Sequence, residues 1–322
     1  MRREIITWSI VGAILVGGFF TTVTVLNATL YSASGFVQSY LDALARRDAA
    51  GALELAGPSV AGDASTELLV PNGMGELTGI RLLSDIENED GTHSVQFAYA
   101  TGEVSGTTTF QVQRRGTLLG LFPTWSFATS PLAVIHMTVL HADDFTANGV
   151  ALVTPSQNDP APYLVFTPGL YAFDHESTYL QAKREDVIVT IPGDAVPAAL
   201  NIEANERFVR DVQTAVNKQL DACTEQEVLL PTGCPFGQPI ANRIASTPDW
   251  SMTTYPVVTL EGGEQPNTWL MPPTQGAAHL LVDIRSLFDG SITVFDEDVP
   301  FSVSYIVEIQ PGDTLALTAR LY

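Results

Sequence analysis

Gly35 to Pro58 reads GFVQSYLDALARRDAAGALELAGP, and it decides the fold class because it is helical while residues 77–129 alternate as strands do. Phe36, Val37, Tyr40, Leu41 and Leu44 recur at the three- and four-residue spacing of a helix with one buried stripe. Asp48 supplies an N-cap for a second, short helix from Ala49 to Ala56, which Gly57-Pro58 closes. From about Leu77 the period changes to two. LTGIRLLSDIE (77–87), THSVQFAYA (92–100), GTTTFQVQRR (106–115) and FPTWSFAT (122–129) read as strands separated by Gly-rich turns. Val95, Phe97 and Tyr99 line one face of the second strand, and Phe110 and Val112 do the same on the third. Two helices followed by a curling antiparallel sheet predict an α+β roll over residues 31–130.

Downstream of Pro131 the helical period disappears. AVIHMTVL, GVALV, PYLVFT, LYAFDH and DVIVTI are five short strands, which predict a small β-sandwich or barrel over 131–200. Asn148-Gly149 fits a tight hairpin turn, and Pro168-Gly169 fits a type II turn. The first theme then returns. Asn205 to Cys223 is helical, with Val209, Val212, Val216 and Leu220 in one apolar stripe. Strands follow around WSMTTYPVVTLEG, NTWLM, GAAHLLVDIRSLF, SITVFDE, FSVSYIVEIQ and TLALTARL, so residues 201–322 form a second helix-plus-sheet roll.

Upstream, Ile5 to Leu26 contains no charged residue and follows Arg2 and Arg3. Its length gives about 33 Å of helix, enough for a ~30 Å hydrocarbon core. A cleaved signal peptide would carry a shorter apolar run, although Ala28 and Ser32-Ala33-Ser34 offer small residues for a peptidase. A buried core helix would seldom be uncharged as far as Leu41. The expected arrangement is a cytoplasmic tail at 1–4, a transmembrane helix at 5–30 and everything later outside the cell membrane, the two arginines setting the orientation. Gly12 and Gly17-Gly18 offer small residues for helix contact without GxxxG spacing.

Charge narrows the partners. The chain carries 15 basic and 36 acidic residues, a net charge of −21. Setting aside Arg2, Arg3 and Glu4 leaves 13 basic against 35 acidic residues, net −22, which repels nucleic acid. Anionic lipid and wall polymers are repelled too unless a local basic patch intervenes. The two cysteines, Cys223 and Cys234, are eleven positions apart in a turn-rich loop, which an oxidising compartment would close as a disulfide.

Two resemblances come from particular residues. FVQSYLDALARRDAAGALEL, above all Ala43-Leu44 through Ala52-Leu53, resembles the opening helices of nuclear-transport-factor-2-like (cystatin-like) domains found outside bacterial membranes. Asn148-Gly149-Val150 with Phe166-Thr167-Pro168-Gly169-Leu170-Tyr171 resembles small surface β-domains whose strand ends in Pro-Gly-x-Tyr. The order of span, roll, β-module and roll is similar to the teicoplanin-resistance-associated membrane protein family of Gram-positive bacteria. It departs from that family in lacking a cytoplasmic zinc ribbon, since no cysteine precedes the span. The resemblance implies a wall-precursor or antibiotic-related role through architecture alone.

Chemistry-bearing motifs are few. No G-x-S-x-G elbow, Ser-x-x-Lys pair, HExxH or phosphate loop occurs. Tyr40 and Asp42 are the nominees for acid–base work in a roll pocket, with Asp42 expected to face solvent. His141 with Asp143 and Asp144 could offer metal ligands across a turn, or simply be a solvated turn. His136, His175, His93 and His279 stand at strand ends or starts. The acidic runs Glu87-Asn88-Glu89-Asp90 and Asp296-Glu297-Asp298 loosely resemble calcium loops but read more simply as acidic turns. Trp125, Phe127, Trp250, Tyr255 and Trp269 fit sheet cores, with a sugar- or peptide-binding platform as the other reading. The sequence therefore predicts a membrane-anchored, non-catalytic binding or scaffolding protein of the bacterial envelope. It predicts no catalytic residue, cofactor or metal, and its expected partners are the bilayer and an envelope component or partner ectodomain. An extracytoplasmic enzyme with an acid/base pocket, and an accessory subunit of a membrane complex, are the alternatives.

Overall fold

The computed structural model describes residues 2–58 and 62–320, with side chains at Trp8 and from Ala13 onward. It is a mixed α+β protein with 20% helix and 48% strand, so curled, half-barrel sheets carry most of the core. Two compact units emerge: Met1–Val139 with Asp143–Asp174 and Arg184–Leu200, and Leu140–Ala142 with His175–Lys183 and Asn201–Tyr322. The modules read from sequence as 31–130 and 131–200 share most of the first unit, whereas 201–322 falls wholly in the second.

The first unit begins with α1 (Arg2–Ala28), α2 (Ala33–Ala45) and α3 (Ala49–Ala56). Ser32 caps α2 by accepting a hydrogen bond from the Gly35 amide, and Asp48 caps α3 by accepting one from Gly51. A four-stranded antiparallel sheet comes next in the order β1 (Thr78–Glu87), β2 (Thr92–Thr101), β3 (Val104–Leu118), β4 (Phe122–Phe127). The apolar stripe of α2 lies on it. Val37, Tyr40 and Leu41 are completely buried, and the Tyr40 ring meets Phe110 and Phe127 at 5.9 and 5.2 Å. The core continues into Leu132, Leu164 and Phe166.

Among the described residues no single helix is long and apolar enough to cross a membrane. Ala13–Ala28 and Ala33–Ala45, bent by 59°, reach that length and hydropathy only together. The two halves behave differently, since α2 buries its apolar face in the first core. Helix α1 leaves Ile14, Leu15, Val16, Phe19 and Phe20 between 52% and 68% exposed.

Residues 132–204 form seven strands: β5 (Leu132–Leu140), β6 (Asp144–Ala147), β7 (Val150–Val153), β8 (Pro160–Phe166), β9 (Gly169–Glu176), β10 (Leu180–Val189) and β11 (Ala195–Ala204). Their order is β7-β6-β9-β10-β11-β5-β8. The expected five strands thus omit two. The polar β6 pairs with β7 across Asn148-Gly149, whose φ values of 49° and 80° are those a two-residue primed turn demands. The Pro168-Gly169 turn is not type II, because Gly169 lacks the positive φ that turn needs and the Thr167–Pro168 bond is cis.

The second unit contains α4 (Glu206–Thr224), whose Asn205 cap accepts from the Phe208 amide. Phe208, Val212, Val216 and Leu220 are completely buried. The sheet beside it comprises β12 (Arg243–Ile244), β13 (Asp249–Thr254), β14 (Glu261–Gly262), β15 (Thr268–Arg285), β16 (Ile292–Gln310) and β17 (Thr314–Ala319). Four segments read as separate strands are two long ones. Pro272-Pro273 falls at a register shift between Met271 and Thr274 in β15. Pro300 lies where β17, paired only with Tyr305–Gln310, does not reach β16, and a strand tolerates proline there.

Candidate binding surface

The acid–base nominees do not meet. Tyr40 is sealed in the first core and donates to the carbonyls of Pro131 and Thr167 at 3.1 and 3.0 Å. Burial pushes its hydroxyl well above the ordinary phenol range, and neighbouring Tyr171 adds to the shift. Asp42 is half-buried and accepts from the Gln38 side chain at 2.7 Å. Side chains leave about 10 Å³ beside Leu44, Met74, Phe166 and Tyr171, too little for a substrate. Two larger hollows of the first unit are clefts lined by neither nominee, one of about 330 Å³ beside Arg47, Glu76, Asp174 and Arg184 and one of about 580 Å³ beside Arg81, Tyr99 and Thr107.

The histidines are structural or superficial. His141 is packed so closely on Gly262 that a Cβ there would fall 2.0 Å from its ring, and its Nδ1 lies 3.1 Å from the Ile202 carbonyl. Among the described residues no group of three or more His, Cys, Asp or Glu is placed to hold a metal ion, His141, Asp143 and Asp144 included. His136 is exposed on β5, and buried His175 has its Nε2 3.2 Å from the Ser177 hydroxyl. His93 Nδ1 lies 2.7 Å from Asp85, with the ring edge-on to Trp125. Of the acidic runs, Glu87–Asp90 is a turn in which Asp90 accepts from the amide and hydroxyl of Thr92. Asp296-Glu297-Asp298 is no turn, since it lies within β16.

Most of the chosen aromatics serve the cores. Trp125 donates to the Tyr31 carbonyl, Trp250 to that of Val228, and Trp269 packs edge-on to Phe208 at 5.8 Å. Phe127 completes the Tyr40 cluster. Tyr255 alone is substantially exposed, and its hydroxyl donates to Asp221, the leading cause of its raised pKa. Cys223 and Cys234 form the expected disulfide.

What the second unit does present is a sheet face. Directly paired residues share a face, so His279, Leu281, Asp283 and Arg285 of β15 stand beside Asp298, Asp296, Val294 and Ile292 of β16. Leu281, Ile292 and Val294 are 42%, 54% and 60% exposed, and the connecting turn adds Leu287 at 73% and Phe288 at 99%. His279 sits between two carboxylates, 2.9 Å from Asp298 and 2.9 Å from Asp296. The hydrogen bond to Asp298 leads in raising its pKa, and the two negative charges add to it. Sequence reading missed this surface. Its signal was the apolar pair Leu287-Phe288 in a turn that also contains Asp289-Gly290.

No protein-family model, curated protein or solved structure matches this chain. The reading of function therefore rests on its own geometry.

Proposed function

We propose that the chain is a membrane-anchored extracytoplasmic protein of the bacterial envelope that binds a partner without catalysing a reaction. One observation carries this reading: from Ala13 to Ala28, α1 is largely apolar and leaves most of its side chains exposed, as a helix surrounded by lipid does. The disulfide agrees with an oxidising compartment. The ionisable pairs are surface pairs, and the exposed sheet face between β15 and β16 suits a partner ectodomain or wall component better than a small substrate. The succession of helices and curled sheet over residues 33–127 supports kinship with the nuclear-transport-factor-2-like roll, and a second helix-plus-sheet region supports the span–roll–β-module–roll order.

The test is retention in membranes. The full chain, washed with alkaline carbonate, is expected to stay in the membrane pellet, and deleting residues 2–28 is expected to release it. Release of the intact chain by the wash would overturn the anchor. Alkylation without reductant is expected to leave Cys223 and Cys234 unmodified.

A further inference from the structure

The hairpin that joins β3 to β4 ends in Leu118-Leu119-Gly120-Leu121, with the leucines 48%, 83% and 40% exposed. Soluble turns seldom finish this way, since tips normally carry polar residues. Its position is more informative than its composition. The indole of Trp125 donates to the Tyr31 carbonyl at 2.8 Å. Nearer the tip, the Phe122 ring stacks on Tyr31 with centroids 4.4 Å apart. Nearer still, the Asn27 side chain donates to the Leu121 carbonyl at 3.0 Å. Toward the tip the contacts thus move from Tyr31, just beyond α1, back to Asn27 in its last turn, so the hairpin points toward the apolar stretch of that helix. Val23, Leu26 and Asn27 are half-covered, while every other residue from Ala13 to Ala28 is exposed.

We propose that this tip enters the headgroup and upper acyl region of an anionic phospholipid surface beside α1, as a second membrane contact that fixes how the first roll stands on the bilayer. The inference rests on reading α1 as a span. Three features support lipid as the occupant. Tyr31 and Trp125, with an apolar body and a polar edge, stand at the level where such rings collect in membranes. Arg114 and Arg115, both exposed, come directly behind the leucines in a chain of net charge −21. That is the local basic patch an acidic protein needs near anionic headgroups. The acidic turn Glu87–Asp90 is set back. Thr92 pairs with Gln113, five residues short of Leu118, which leaves the tip projecting by about 16 Å.

The experiment uses the full chain in vesicles of equal brominated phosphatidylcholine and phosphatidylglycerol. Its native cysteines are already joined, so one added cysteine can carry an environment-sensitive fluorophore at a time. Val16→Cys reports the span, Leu119→Cys the tip, and Glu103→Cys the turn at the opposite end of the β2–β3 hairpin. Position 119 is largely exposed, so the label disturbs no packing. The expected result is loss of emission at 16 and 119, a blue shift at 119, and neither change at 103. Quenching at 16 with position 119 behaving like 103 overturns the hairpin contact and leaves the span intact. Quenching at neither site overturns the span reading as well. A label at 119 that lipid does not quench, but that native membrane proteins shield from iodide, assigns the tip to a protein and overturns the proposal. Combining Arg114→Glu with Arg115→Glu is expected to weaken quenching at 119 in anionic vesicles and not in purely zwitterionic ones; equal quenching in both would refute the role of the arginines.

Discussion

The hairpin joining β3 to β4 and the hairpin joining β15 to β16 are built alike and finished differently. Each ends a curled antiparallel sheet in exposed large apolar side chains, Leu118, Leu119 and Leu121 in one, Leu287 and Phe288 in the other. The first is backed by Arg114 and Arg115. The second is flanked by Asp283, Asp289 and the run Asp296-Glu297-Asp298, five carboxylates against the one guanidinium of Arg285. Apolar exposure alone marks a surface meant to be covered, and the neighbouring charge selects what covers it. A basic shoulder suits anionic lipid; an acidic one suits a basic polypeptide and opposes a membrane. The supporting regions differ as well. An aromatic cluster of Tyr40, Phe110 and Phe127 holds the first sheet to its helix, while α4 and its sheet add the Cys223–Cys234 crosslink.

Several measurements can break or sharpen this contrast. Phe110→Ala removes the ring on which Tyr40 and Phe127 pack and should lower the stability of the first region by about 3–5 kcal/mol. Calorimetry should show that transition shifting while the disulfide-bearing one stays; one common shift would dissolve the distinction between regions. Replacing both Cys223 and Cys234 with alanine frees an eleven-residue loop and should cost about 3 kcal/mol, in the second region only. Equal loss in both transitions would contradict that placement. The helix caps form a smaller matched pair. Asp48→Ala and Asn205→Ala should each cost about 1 kcal/mol, in the first and second regions respectively, measured by urea unfolding.

The smallest effect is a pH dependence confined to the second hairpin. His279 has a folded pKa raised by Asp298 and Asp296, so its contribution is fully present below the unfolded value of about 6.5 and is lost as pH rises through the folded one. NMR titration should place its imidazole above an ordinary histidine, and Asp298→Asn should lower it. An unchanged midpoint in that variant would remove the pairing from the account.

Local signals served well where the chain closed its own structure. Asp48 and Gly57 marked the third helix to the residue, and the alternation of Val95, Phe97 and Tyr99 marked a strand whose burial follows it. Four strands read as separate, NTWLM and GAAHLLVDIRSLF, SITVFDE and FSVSYIVEIQ, run on as two, because a bulge and an uncovered edge accommodate Pro273 and Pro300 inside them. Polar β6 and proline-bearing β11 were invisible because the four residues of β6 and the Pro197 of β11 give little strand signal of their own, although each pairs with the strand next to it in sequence, β7 and β10. The Asp296–Asp298 run looked like a turn because charge dominates its composition, yet the face it shares with His279 depends on register with β15. The two apolar tips were legible as residues but not as surfaces. Exposure is a property of packing, and nothing in TLLGLF or SLFDGS states which side chains stay uncovered.

The reading of an anchored protein with its bulk outside the cell is most directly tested with the two lysines, Lys183 and Lys218, both exposed. Spheroplasts expressing the full chain are treated with a membrane-impermeant amine reagent, and the modified peptides are identified by mass spectrometry. The account predicts that both lysines are modified while the membrane is intact. Modification that begins only after permeabilisation would contradict it.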